Sequence, residues 1–518
     1  MSDRPPYSFL ATEMDGFSSL AELALDLRWS RNHGADGVWK QLDSALWELT
    51  SNPWVVLQTV SREKLQLLLG NPAFRQEIDA LVQAQKRVAS APAWFQQNHP
   101  QAPLTCAAYF SMEFMLSEAL PIYSGGLGNV AGDQLKAASD LGVPVVGVGL
   151  LYQQGYFRQV IDEEGAQQAL YPYNDPGQLP ITPLRQPNGE WLRLEIPLPG
   201  YSVWLRAWQV QIGRVKLYLL DSNDAANFPA HRGITSELYG GGPELRLKQE
   251  LLLGIGGWRL LAALGIQPEI CHLNEGHAAF AVLERARSLM AETGQPFEVA
   301  LTVTRAGNLF TNQEHGDDPK WDAAEAEALY DLLEGKVIPE FYARDGQGVP
   351  AAWVARMRES MAQLTPRFSA SRAVREYTEQ HYLPGAASYR QRAENKGAVG
   401  RQMVDWRHTL EEKRTTPRFG EVKIESDGGQ NMFEVQVYLD DLDPNAVRVE
   451  LYADAINGGK PLLQEMTCVR QLPGTSSGYA YRAQVAASRP AADFTARVIP
   501  RREGVAVPLE AAGILWER

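Results

Sequence analysis

Apolar and polar positions along this chain change period several times, and each change marks a different kind of element. Over residues 1–100 the apolar positions recur at helical spacing. Ser18-Ser-Leu-Ala-Glu-Leu-Ala-Leu-Asp-Leu-Arg28 is one such run, and Asp43-Ser-Ala-Leu-Trp47 and Ser61-Arg-Glu-Lys-Leu-Gln-Leu-Leu-Leu69 each open on a side chain able to cap a helix. A helical N-terminal domain is predicted. Its tryptophans, Trp29, Trp39, Trp47 and Trp54, are expected in the core rather than as a sugar platform, because indole buries so much area.

From about 101 to 311 short apolar runs take over, at 105–110, 143–151, 215–220, 269–273 and 297–303. Helical stretches at 131–141, 245–264 and 276–292 separate several of them. This alternation predicts an α/β fold with a mostly parallel sheet covered on both faces. Residues 156–214 read instead as an antiparallel insertion, with turn signals at Asn174-Asp-Pro-Gly and Pro187-Asn-Gly.

The pattern expected of a buried strand runs on through Leu301-Thr-Val-Thr-Arg-Ala-Gly-Asn-Leu-Phe-Thr311. It then joins directly to Asn312-Gln-Glu-His-Gly-Asp-Asp318 and an amphipathic helical stretch, 312–400, with helices at 322–333, 351–361 and 372–382. A polar linker without strand signal leads to Arg418. Residues 418–518 alternate apolar and polar positions at 433–438, 447–452, 479–485 and 494–499, which predicts a small β-sandwich.

At 518 residues the chain is long enough for about two to four domains, each with its own core. It holds no apolar run of about eighteen residues and its first residues lack an apolar signal segment, so neither a membrane span nor secretion is expected. Three scattered cysteines, Cys106, Cys271 and Cys468, exclude a disulfide scaffold or a paired-cysteine zinc site and suit a cytoplasmic location. A net charge of −13 argues against a nucleic-acid or anionic-membrane binder.

Four segments carry candidate chemistry. Ser124-Gly-Gly-Leu-Gly-Asn-Val-Ala-Gly-Asp133 lies between a strand and a helix, where glycines let backbone N–H groups approach a phosphate; a plain tight turn is the alternative. Tyr109-Phe-Ser-Met-Glu-Phe114, just upstream, can present a tyrosine and a carboxylate. His272-Leu-Asn-Glu-Gly-His277 follows a strand and opens a helix, which places Glu275 and His277 at the carboxyl edge where α/β sheets bind ligands. Asn274 acting as a helix cap is the plainer reading, and the two histidines lack the third ligand a metal needs. Leu238-Tyr-Gly-Gly-Gly-Pro-Glu-Leu-Arg-Leu-Lys-Gln-Glu250 adds a glycine stretch before a helix with Arg246, Lys248 and Glu250, equally readable as a loop and a solvated face.

Taken in order, these segments resemble the α-glucan (glycogen) phosphorylase family, in its bacterial branch with an extra helical N-terminal domain. Asp26-Leu-Arg-Trp-Ser30 with Asn32 and His33 is similar to that domain's pattern, although Arg31 stands where a second tryptophan is usual. The resemblance implies a GT-B fold of two Rossmann-type lobes with a cleft between them, and transfer of a terminal α-1,4-linked glucose onto phosphate to give glucose 1-phosphate. It implies pyridoxal phosphate as cofactor, with Tyr109 beside its ring. Gly125, Gly126 and Leu127 would offer N–H groups to phosphate, Glu275 and His277 would line the sugar side, and Asn223 with Asp224 would belong to a gating loop. It also implies α-1,4-glucan, phosphate or glucose 1-phosphate as ligands; a homo-oligomer or association with an intact paralogue is a separate expectation.

The resemblance breaks after Thr311. The family continues with Thr-His-Thr where this chain has Asn312 and Gln313. The family's phosphate-gripping Tyr-Lys-Arg segment and its Schiff-base lysine in Gly-Thr-Ser-Gly-Met-Lys have no counterpart at any lysine from Lys40 to Lys460. Most of the second lobe is therefore expected to be missing and activity impaired. The alternative is a non-catalytic glucan- or sugar-phosphate-binding remnant.

Overall fold

A computed structural model describes residues 14–312, 319–413, 417–456 and 460–517. The junction residues 313–318 lie outside the described residues. The chain forms two compact units, 1–392 and 393–518.

The first unit opens with six helices: α1 Phe17–Leu25, α2 Asp36–Thr50, α3 Pro53–Thr59, α4 Arg62–Leu69, α5 Pro72–Ser90 and α6 Trp94–Asn98. Polar side chains satisfy first-turn N–H groups at Asn52, Ser61 and Asn71. Inside α2, Asp43 leaves helical geometry and its Oδ1 accepts the Leu46 N–H at 3.0 Å, so the expected cap restarts the helix there. Trp39, Trp47 and Trp54 are buried in one core with Leu20 and Phe74, and Trp29 is buried in the neighbouring core of the sheet.

The rest of the unit is built on one sheet. Its elements are β1 Ala107–Phe110, α7 Gly126–Leu141, β2 Val145–Leu150, β3 Arg158–Ile161, β4 Gln167–Leu170, β5 Thr182–Pro183, β6 Arg193–Leu198, β7 Tyr201–Ile212 and β8 Val215–Asp221. Then come α8 Pro229–Arg232, α9 Pro243–Leu251, α10 Gly257–Ala263, β9 Ile270–Asn274, α11 Phe280–Thr293, α12 Phe297–Arg305 and β10 Asn308–Thr311. Strand order is β10-β9-β1-β2-β8-β7-β5, with β6 also on β7. The five strands from β10 to β8 run parallel, and β5, β6 and β7 are antiparallel. β3 and β4 form a separate antiparallel pair. The fold is mixed α/β with a parallel-rich central sheet and a helical N-terminal region.

One expected strand is a helix. Residues 297–303 belong to α12, preceded by Pro296, with Val299, Ala300, Val303 and Thr304 buried. Phe297 is 39% exposed. The β-branched residues suggested a strand, but burial follows a helical stripe, and the edge strand β10 starts only at Asn308.

After the junction come α13 Pro319–Leu332, α14 Ile338–Tyr342, α15 Ala351–Arg367, α16 Ala370–Tyr377 and α17 Leu383–Glu412. From 321 to 368 no residue is buried, although Trp321, Leu329, Phe341, Met361 and Phe368 lie there. The start of α17 packs back on the sheet: Arg390 bonds Glu269 at 2.5 Å, and Arg392 donates to the Thr302 carbonyl at 2.8 Å. α17 is broken where Asn395, Lys396 and Gly397 take positive φ, then continues to Glu412 through residues expected as linker.

The second unit holds β11 Arg418–Asp427, β12 Gln430–Tyr438, β13 Val447–Ala453, β14 Leu462–Glu465, β15 Thr467–Gln471, β16 Gly478–Ala486, β17 Thr495–Pro500 and β18 Leu515–Trp516. Two antiparallel sheets, β11-β12-β16-β15 and β14-β13-β17-β18, share a core of Phe433, Val435, Val449, Leu451, Tyr481 and Val498. No helix among the described residues is long and apolar enough to cross a membrane.

Candidate active-site crevice

Strand order places the site. From β1 the chain passes through α7 to β2 on one side, whereas β9 and β10 add to the other side. β1 and β9 therefore flank the point where the winding reverses, and a crevice opens outside their carboxyl ends. The segment after β1 carries the glycine-rich loop, and the segment after β9 carries Glu275 and His277. The strand ends are tied together, since Asn274 Nδ2 donates to Ser111 Oγ at 3.1 Å. Asn274 thus braces the sheet instead of capping a helix.

The glycines of 124–133 divide into two kinds. A Cβ on Gly132 would sit 1.9 Å from the Met115 carbonyl oxygen, and one on Gly128 would sit 2.8 Å from Glu113 Oε2. These two let α7 pack tightly on the segment after β1. Gly125 and Gly126 face open space. Gly126 and Leu127 begin the 16-residue α7, so their N–H groups belong to the first turn, which has no intrahelical acceptors. Gly125 differs: its N–H donates to Glu113 Oε2 at 3.0 Å, as does that of Ser124 at 2.5 Å. Glu113, 2% exposed, thereby turns inward, and its Oε1 accepts the Tyr239 hydroxyl at 2.8 Å.

Tyr239 connects this loop to α9. Burial first, and then the adjacent Glu113, raise its hydroxyl far above the usual tyrosine range. The Arg246 guanidinium lies 4.3 Å over the Tyr239 ring, and its Nη2 lies 2.6 Å from His277 Nε2. Arginine can only donate, so Nε2 is the acceptor and the imidazole proton sits on Nδ1. Burial and then Arg246 lower the His277 pKa, which keeps the ring neutral. Its Nδ1 is enclosed and has no hydrogen-bond partner among the described residues. Glu275 stands just after β9 at φ 70°, ψ 170°, a region that residues other than glycine seldom occupy. Its N–H is held by the Thr311 carbonyl at 3.0 Å.

Known proteins resemble this chain over part of its length. Residues 15–120 match a family described as "Protein of unknown function (DUF3417)". Maltodextrin phosphorylase of Thermococcus litoralis is 41% identical over 334 residues, 63% of this chain and 40% of that protein. Glycogen phosphorylase of Mycobacterium tuberculosis is 42% identical over 307 residues, 57% of this chain and 36% of that protein. Over the matched part this chain is similar to maltodextrin and glycogen phosphorylases. Glycogen phosphorylase of Aquifex aeolicus is 34% identical over 293 residues, 56% of this chain and 41% of that protein. The chain thus spans about two fifths of the length of these phosphorylases.

The other residues that the phosphorylase resemblance singled out lie apart from the crevice cluster or face inward. Tyr109 on β1 is 1% exposed, with its ring 4.6 Å from His272 and 6.2 Å from Phe114. His272 is closed off by Tyr382, whose hydroxyl lies 2.7 Å from Nδ1. Asp224 is fully buried, pairing with Arg193 at 2.9 Å and accepting the Ala226 N–H at 2.8 Å, so it anchors the loop after β8. Asn223 lies on that loop, its N–H held by Asp221 Oδ1 at 2.7 Å.

The surroundings of Tyr109 do not fit a lysine-tethered pyridoxal phosphate, because aromatic side chains fill them. Lys248, on α9, is turned onto Glu244 at 2.6 Å. Among the described residues no group of His, Cys, Asp and Glu could hold a metal ion. Sequence reading missed the Glu113–Tyr239 contact, which spans 126 positions and leaves no local pattern.

Proposed function

We propose that this chain derives from an α-glucan phosphorylase and keeps the sugar- and phosphate-facing half of its site without the half that completes the reaction. The carrying observation is that the loop after β1, Arg246, Glu275 and His277 converge at the reversal of the sheet. The enclosed Nδ1–H of His277 is a donor that a bound sugar hydroxyl can satisfy, and Glu275 is an acceptor beside it. The first-turn N–H groups of Gly126 and Leu127 suit a phosphate oxygen.

In a complete GT-B enzyme a second lobe faces this crevice. Here β1–β10 is the only sheet with parallel strands among the described residues. The exposed apolar side chains of 321–368 agree with a lost partner surface, which a second copy or an intact paralogue would cover. Without a basic clamp and a tethered cofactor, little stabilises charge on the transferring phosphate, and one wall that would exclude water is missing. The chain therefore holds glucan or sugar phosphate and turns it over poorly or not at all.

Calorimetric titration of glucose 1-phosphate into the full chain tests the reading. Saturable binding, weakened about tenfold (about 1.4 kcal/mol) in His277→Ala, is expected. Folded protein that binds no glucose 1-phosphate contradicts it.

A further inference from the structure

A second cavity, of about 380 Å³, lies where the N-terminal helices meet the antiparallel part of the sheet. α1 and α5 form one wall, and β5, β7 and the turn after β7 form the other. That turn joins Ile212 to Val215, at the amino end of β8. The crevice lies beyond the carboxyl ends of the parallel strands, so the length of β8, roughly 20 Å, separates the two.

Arg214, in the same turn, holds the walls together: it donates to the carbonyls of Val88, Ala89 and Ala91 at the end of α5. Gly213 is required at this corner, with φ 63° and a Cβ position 2.7 Å from Arg28 Cδ.

The lining has the composition of a site for a neutral polar molecule. Its charged side chains are two acids, Glu22 and Asp26, and two bases, Arg28 and Lys86. Lys86 lies 3.7 Å from Glu22, so part of this charge is self-compensated. An anion would face both carboxylates, and a cation both bases. Asp26 is 8% exposed; its Oδ1 accepts the N–H groups of Gly213 at 2.8 Å and Arg28 at 3.1 Å, while its Oδ2 has no partner among the described residues. Gln85, Gln209 and Thr182 add uncharged donors and acceptors, and neither of these glutamine amides is engaged by protein among the described residues. Leu25 and Ala89 supply apolar surface. An unpartnered carboxylate oxygen, free amides and a small apolar patch match the hydroxyl edge and the C–H face of a sugar.

We propose that this cavity binds a short neutral sugar, giving the helical N-terminal region a carbohydrate-holding role. The inference rests on the lining and not on the crevice reading, and two variants separate them.

Maltotriose is titrated into the full chain, into His277→Ala and into Gln85→Leu/Gln209→Leu, with melting temperature recorded for each. Saturable binding that survives in His277→Ala and weakens at least tenfold in an equally stable Gln85→Leu/Gln209→Leu protein is expected. Undiminished binding in Gln85→Leu/Gln209→Leu overturns the proposal, as does the absence of binding to the wild-type chain. Displacement of maltotriose by inorganic phosphate in His277→Ala overturns the assignment to a neutral ligand.

Discussion

Arg246 Nη2 lies 2.6 Å from His277 Nε2, and this contact sets the tautomer of the neutral imidazole. Burial first, and then the adjacent guanidinium, disfavour a protonated ring. Sugar affinity at the crevice is therefore expected to stay level as pH falls through 6.5, the ordinary histidine value, and to drop only at the lowered pKa. Arg246→Gln removes one of the two causes, so the drop should move to higher pH. Glucose 1-phosphate titrations between pH 8 and 5 read this, with ligand ionisation corrected on the wild type.

Glu275 is held in backbone geometry suited to glycine, at φ 70° and ψ 170°. Glu275→Gly should raise stability by about 1–3 kcal/mol by relieving that strain, and should weaken ligand binding. Urea unfolding and calorimetry on one preparation test for these opposite signs. A variant less stable than wild type would show that the conformation carries no strain.

His272 is buried between Tyr109 and Tyr382, with Tyr382 hydroxyl and Thr311 Oγ1 against its two nitrogens. Burial, with His381 nearby, lowers its pKa to about 3. Between that value and 6.5 the unfolded chain binds a proton that the folded one does not. Its contribution to stability is full above 6.5 and falls by roughly 1.4 kcal/mol for each pH unit below. Unfolding free energies at pH 7, 6 and 5 should show this slope, reduced in His272→Gln.

The glycine-rich loop offers a paired test. Gly132→Ala places a methyl against the Met115 carbonyl and should cost about 3 kcal/mol, whereas Gly126→Ala, facing open space, should change stability by less than about 0.5 kcal/mol. Denaturant midpoints distinguish them.

What could be read in the sequence, and what could not, follows from the range of each interaction. Caps at Asp43 and Ser61, the buried tryptophans and the alternation behind the parallel sheet are local patterns. The reversal point could be anticipated only as an edge, because strand order is set by contacts between distant segments, such as Asn274 on Ser111. Residues 297–303 misled because β-branched side chains suit a strand, while their burial runs along one helical face. The glycines read alike as letters, yet Gly128 and Gly132 serve packing and Gly125 and Gly126 do not. Glu113, which the sequence offered only as a carboxylate after β1, braces the loop from beneath.

The central claim is that the chain keeps a phosphorylase crevice without the apparatus for turnover. It is tested most directly by measuring glucose 1-phosphate released from maltodextrin and phosphate, with excess pyridoxal phosphate and an intact phosphorylase alongside. The expected result is folded protein with no release above the blank. Release clearly above the blank, lost in His277→Ala, would contradict the account.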